Sequence, residues 1–112
     1  DHNPIDIEDK KIEFDHAKYG TIGLESAFGA LQTVFTTKKA VSLLTQGKTR
    51  FGVPENSINI GEVANLSLFN PDDKYQFNKQ NITSKSKNSA FLGMELKGTV
   101  YGVIANNKVA LK

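Results

Sequence analysis

Apolar residues recur along this chain with two different periods. In "TIGLESAFGALQTVF", Leu24, Ala27, Phe28, Leu31, Val34 and Phe35 fall at the i, i+3, i+4, i+7 spacing of one helical face. The pattern predicts a helix that buries this face and turns Glu25 and Gln32 outward. Gly29 costs such a helix about 1 kcal/mol relative to alanine, so close packing against a neighbour is the expected reason for it. "TTKKAVSLLTQGK" predicts a second, shorter helix with Thr36 or Thr37 as its amino-terminal cap, Gly47 as its left-handed stop, and Ala40, Val41 and Leu44 on its apolar side. Gly52 and Pro54 then break the helical pattern.

From Ser57 the period becomes two. "SINIGEVANLSLFNP" predicts two short strands around Gly61-Glu62, and "KYQFN" a further one. "TVYGVIANNKVAL" reads as a hairpin, because Asn106-Asn107 supplies residues that tolerate the positive φ of a two-residue type I′ turn. The polar connection "NITSKSKNSAFLGMELKG" has Phe91 as its expected anchor. Residues 1–18 are charged and turn-like, and Pro4 keeps Asn3 out of the α region. Helices followed by strands indicate an α+β fold in two pieces, with the break near Arg50–Pro54.

Composition narrows the possible functions. The 112 residues suffice for one small domain, and 38 % of them are apolar, enough for a folded core. The net charge of +2 is spread among interleaved acids and lysines, without the basic, aromatic-studded stripe of a nucleic-acid binder. No apolar run reaches the ~20 residues of a membrane span, and the mostly polar first ten residues do not read as a secretion signal. With no cysteine there is no disulfide framework and no thiolate chemistry, which fits a cytoplasmic protein.

Candidate chemistry is sparse. Asp1 and His2, with Asp6, Glu8 and Asp9 behind them, offer either metal ligation and general-base work or a solvated acidic end. The local sequence favours the solvated end, since surface carboxylates are common. His16 has no partner at metal-ligand spacing and reads as a surface histidine. "YGTIG" is either a cradle for an anion, formed by glycines ahead of a helix amino terminus, or a plain loop-to-helix turn. "SKSKN" offers phosphate or acidic headgroup binding, but a solvated lysine loop is the simpler reading.

Three stretches together resemble one family. "DHNP" is similar to the DHAP motif of dihydroorotases of the amidohydrolase superfamily. "YGTIGLESAFGAL" resembles their PFGIxGLET segment, and "IGEVANLSLFNP" with "SKSKNSAFLGMELKGTVYGVIANNKV" resembles their carboxyl-terminal region, in the same order. The resemblance implies that residues 1–53 are the carboxyl-terminal end of a (β/α)8 hydrolase barrel, a loop plus two helices, and that residues 54–112 are part of a small β-sandwich. It implies a zinc enzyme that interconverts dihydroorotate and carbamoyl aspartate, with Asp1 binding metal and moving a proton between water and the leaving nitrogen. It places backbone contacts to substrate at Tyr19 and Gly20.

Active family members usually read DHAPH, with a histidine that grips the substrate carboxylate; that position is Ile5 here. The exchange forfeits a charge-assisted hydrogen bond worth ~1.5–3 kcal/mol. The family's HxH pair, its metal-bridging carboxylated lysine and its later histidines are absent from this sequence. The expectation is therefore a carboxyl-terminal piece of a longer enzyme, with zinc in the parent and none in this chain, inactive alone. The helix faces left bare by the missing strands point to a homo-oligomer, and a transcarbamoylase is a possible partner of the parent. Three alternatives stay open: a non-catalytic paralogue supporting such a partner, a dihydropyrimidinase- or allantoinase-like hydrolase, and a free-standing binding module.

Overall fold

The computed structural model describes residues 1–54 and 57–112. Three helices, α1 (Leu24–Val34), α2 (Thr37–Thr45) and α3 (Gly47–Arg50), precede a three-stranded antiparallel sheet. Its strands β1 (Leu66–Gln76), β2 (Glu95–Ala105) and β3 (Lys108–Leu111) lie in the order β1-β2-β3. Short 3₁₀ turns occupy Glu8–Lys10, Phe14–His16 and Lys79–Asn81. The helix-then-sheet order is the α+β arrangement that the sequence predicts. No helix among the described residues is long and apolar enough to cross a membrane.

Helix α1 forms where the periodicity places it, but it buries a different face. Ser26, Gly29 and Gln32 are its buried residues, while Leu24 and Val34 are 70 % and 73 % exposed. The buried line is thus shifted to one side of the expected apolar stripe: Ala27, Phe28 and Leu31 are half-buried, Leu24, Val34 and Phe35 are exposed, and Gln32, expected outward, is buried. The cause is a close approach to the sheet through two glycines. A Cβ on Gly29 would lie 2.5 Å from the Tyr75 hydroxyl and 3.3 Å from Leu96. Gly98, at φ +99°, would meet the Phe28 ring at 2.7 Å and Gln32 at 3.0 Å. The missing side chains of Gly29 and Gly98 let α1 come this near β2. Phe28, at the border of the two faces, packs on Phe69 with ring centroids 4.5 Å apart. Gln32 Nε2 donates to Thr37 Oγ1 at 2.8 Å and to the Pro71 carbonyl at 3.3 Å, which offsets part of the cost of its burial, while its Oε1 is buried without a partner.

The cap of α2 is Thr36, whose hydroxyl accepts from the Lys39 N–H. Gly47 is not the stop. It opens α3, and the left-handed residue is Gly52 at φ +64°. There the Val53 N–H reaches the Lys48 carbonyl and the Gly52 N–H the Thr49 carbonyl, the paired bonds of a Schellman ending.

Of the two strands expected around Gly61-Glu62, only the second forms. Residues 57–65 contain no strand, and Ile58 and Ile60 stand exposed. "LSLFNP" and "KYQ" instead belong to one strand, β1. Its pairing with β2 jumps from Asn70↔Thr99 to Lys74↔Lys97. The bulge holds Pro71, which has no N–H to give a ladder, and is closed by Asn70 Nδ2 donating to Asp73 Oδ1 at 2.8 Å. The predicted hairpin is present, with Asn106 and Asn107 at φ 52° and 57° between β2 and β3. The buried core is Ile22, Phe77, Ile82 and Leu96, with Tyr75 and the expected anchor Phe91 packed against it.

Candidate functional site

Three segments distant in sequence meet at the amino end of α1. The first is Asp1–Ile5. The Asp1 carboxylate is exposed, and its Oδ1 accepts from the His2 N–H at 2.8 Å. His2 Nδ1 accepts from the N–H groups of Gly23 and Leu24, each at 3.3 Å. Gly23, the residue at the cap position, has no side chain with which to do this, so the imidazole satisfies donors that a helix start leaves open. Those N–H groups are therefore occupied, which removes part of the anion cradle considered for "YGTIG". The crossing is tight: a Cβ on Gly23 would fall 2.2 Å from the Asp1 carbonyl oxygen.

The second segment is the turn Tyr19–Ile22. Tyr19 is 89 % exposed. Gly20 is at φ +143°, a conformation that disfavours any side chain, and a Cβ there would also press on the Asn3 carbonyl at 2.9 Å. The Asn3 N–H donates to the Thr21 carbonyl at 2.9 Å, and Asn3 Nδ2 reaches the Tyr19 carbonyl at 3.4 Å. Asp1 and Gly20 are thus carried on two stretches that run against each other. His16 lies apart in an exposed 3₁₀ turn.

The third segment, Ser84–Ala90, ties both together. Ser86 Oγ donates to the Ile5 carbonyl at 2.7 Å. Asn88 Nδ2 donates to the Gly20 carbonyl at 3.0 Å, and the Asn88 carbonyl accepts from the Ile22 N–H at 2.9 Å. The Ala90 N–H donates to Thr21 Oγ1 at 3.0 Å. "SKSKN" is therefore an extended strap: Ser84, Ser86 and Asn88 are half-buried and bonded inward, while Lys85 and Lys87 alternate outward. Lys87 Nζ turns back to the Ile82 carbonyl at 2.7 Å. Lys85, with Lys79, edges an open cleft of about 740 Å³ whose floor includes Ile5, Ile7 and Leu92.

Glu25 is the site residue that the helical pattern misplaces. Its Oε1 accepts from both the backbone N–H and the hydroxyl of Ser84, which pins α1 to the strap. Its Oε2 is buried without a partner, against a cleft of about 420 Å³ shared with Phe28, Tyr75 and Thr99. Burial pushes the Glu25 carboxyl up, but the Ser84 hydroxyl and N–H, with the nearby His2, outweigh it and hold the group below its ordinary value. Burial alone pushes the Tyr75 phenol up. The period-two alternation of S-K-S-K-N was the signal for an ordered strap, and a strap passing the start of α1 needs a partner there.

Among the described residues, no group of three or more His, Asp or Glu side chains could hold a metal ion. Asp1 supplies a single carboxylate, whereas catalytic zinc sites take three protein ligands and leave one position open. The described residues do not by themselves fit a zinc site.

No protein-family model matches the chain. Curated relatives do. A dihydroorotase of Caldicellulosiruptor saccharolyticus is 40 % identical over 100 % of this chain and 28 % of its own length. Those of Clostridium acetobutylicum and Caldanaerobacter subterraneus are 35 % and 33 % identical, each over 97 % of this chain and 27 % of their own. The chain thus spans little more than a quarter of the relatives it matches. Over its whole length the chain is thus similar to a segment of curated dihydroorotases, and the alignment with the Caldicellulosiruptor protein runs through all three converging segments.

Proposed function

We propose that this chain is the carboxyl-terminal portion of a dihydroorotase-like zinc amidohydrolase, which interconverts dihydroorotate and N-carbamoyl-aspartate in pyrimidine biosynthesis. The observation that carries the reading is similarity at 40 % identity across the entire chain to a protein named for that activity. In this reading residues 1–53 close a (β/α)8 barrel and residues 54–112 contribute to a β-sandwich. Zinc, when bound to the parent, supplies a polarised water; its remaining ligands come from residues outside this chain.

The work left to the residues here is proton transfer and positioning. Asp1 carries a proton from the attacking water to the leaving nitrogen of the ring. Its exposed carboxylate, bonded at one oxygen to its neighbour's N–H, keeps the other oxygen free for that purpose. Tyr19 and Gly20 offer backbone groups to the substrate, and the substitution-intolerant geometry of Gly20 supports a turn held for a purpose. With one candidate metal ligand, the 112-residue chain alone is inactive. The parent acts as a homo-oligomer, with a transcarbamoylase as a candidate partner.

Ile5 favours a second reading, a non-catalytic paralogue that supports a partner enzyme. Its side chain joins Ile7 and Leu92 in the floor of a cleft, where it can neither donate a hydrogen bond nor carry charge. Turnover separates the two. The full-length polypeptide with zinc is expected to hydrolyse dihydroorotate while the 112-residue chain is not; a full-length polypeptide that binds zinc and turns nothing over favours the paralogue.

A further inference from the structure

We propose that Asn88 is a positioning residue for substrate, with Asn3 as its lesser partner. The inference rests on the functional reading above and concerns how the Tyr19–Gly20 turn is aimed. The two peptide planes that flank Gly20 are each held by a side-chain carboxamide. Asn3 Nδ2 takes the Tyr19 carbonyl at 3.4 Å, and Asn88 Nδ2 takes the Gly20 carbonyl at 3.0 Å. Both peptides are trans, so each N–H points opposite to its own carbonyl. Drawing the two oxygens toward the carboxamides turns the N–H groups of Gly20 and Thr21 the other way. Among the described residues, neither N–H donates to any acceptor. They form a pair of adjacent donors, turned away from the groups that hold them.

Gly20 makes such a hold necessary. At φ +143° its backbone has freedom that no other residue would have, and left unheld each peptide could rotate its donor away. Asn88 is itself fixed, because its backbone carbonyl accepts from Ile22, a residue of the core. The backbone bond anchors the strap, and the side chain sets the turn. Removing the carboxamide therefore loosens the turn while leaving the anchor in place. A loosened turn weakens substrate binding before it touches the chemistry at Asp1.

The test uses the full-length polypeptide with zinc, assayed for dihydroorotate hydrolysis. Asn88→Ala is expected to raise KM about five- to tenfold, the worth of one aligned hydrogen bond, with kcat within about twofold. Asn88→Asp keeps the size but sets an acceptor against the Gly20 oxygen; it carries the same expectation and serves if the alanine variant fails to fold. Asn3→Ala, at the longer contact, is expected to raise KM about twofold. A purely structural role would lower the thermal midpoint or the active fraction and leave KM where it was. Unchanged KM in folded Asn88→Ala or Asn88→Asp enzyme overturns the inference and leaves the functional reading standing. A wild-type polypeptide without turnover overturns the reading itself, and this inference with it.

Discussion

Two regions of the molecule answer the same problem, a polar backbone beside apolar side chains, in opposite ways. Around the start of α1, residues 1–5, 19–25 and 84–90 close on one another through hydrogen bonds that span from 16 to 81 positions of sequence. Between α2 and β1, Phe51, Ile58, Ile60 and Val63 are all at least two-thirds exposed, and residues 57–65 form no strand. The first region is held from within: its three segments bond to one another, while Glu25 Oε2 and the N–H groups of Gly20 and Thr21 are left over among its described groups. The second displays apolar surface that the chain does not cover, as does the outer stripe of α1 with Leu24 and Val34. A segment spanning little more than a quarter of its relatives is complete where its contacts are internal and bare where they are not.

The contrast can be broken most severely at the junction of α1 and β2. Gly98→Val must place a side chain at φ +99° with its Cβ 2.7 Å from the Phe28 ring. Backbone strain and overpacking each cost about 1–3 kcal/mol, so a loss of ~3 kcal/mol or more is expected in denaturant unfolding. A loss under about 1 kcal/mol would show that α1 does not sit this close.

The polar clamp should reveal itself by acid. Glu25 has its folded-state value below the ordinary 4.5, so its contribution is fully present above that value and is lost as pH falls through the lower, folded one. Wild-type stability should therefore drop on acidification through this range, and Glu25→Gln should remove that part of the slope. Equal slopes in the two proteins would mean that the Ser84 contact does not hold the carboxylate. Ser84→Ala, which deletes one of the two donors to Oε1, is expected to cost about 1–2 kcal/mol at neutral pH.

The bare surfaces sharpen the comparison from the other side. The 112-residue chain is expected to associate in light scattering at tens of micromolar, because apolar patches of this kind promote self-contact. Val34→Lys with Leu44→Lys should shift it toward monomer. Ile60→Ser, at the most exposed of these positions, should change stability by less than about 0.5 kcal/mol. A cost above 1 kcal/mol there would show that the residue packs on something within the chain.

These regions also separate what the sequence discloses from what it withholds. The β2–β3 hairpin was legible because its turn is a local matter: Asn106 and Asn107 tolerate positive φ wherever they stand. The existence of α1 was legible for the same reason. Its buried face was not, because periodicity counts apolar residues, while the sheet selects Ser26, Gly29 and Gln32 for their small size or their partners. Strand β1 reads as two strands since Pro71 interrupts the alternation, and a bulge carries the chain across. At the site, Asp1, Tyr19 and Gly20 were singled out through a resemblance. Glu25 and Asn88 were not, and His2, weighed as a ligand or base, was not read as a cap, since each acts through a contact more than 20 positions away. Motif reading finds residues that are alike across a family; it does not find what holds them.

In the function proposed above, Asp1 is the proton carrier. Its most direct test is the rate of dihydroorotate hydrolysis by the zinc-loaded full-length polypeptide carrying Asp1→Asn, measured beside the wild type. The account predicts a fall in kcat of at least ~10²–10⁴-fold, the usual worth of a positioned acid–base group, with zinc still bound. A variant that keeps wild-type kcat would contradict it.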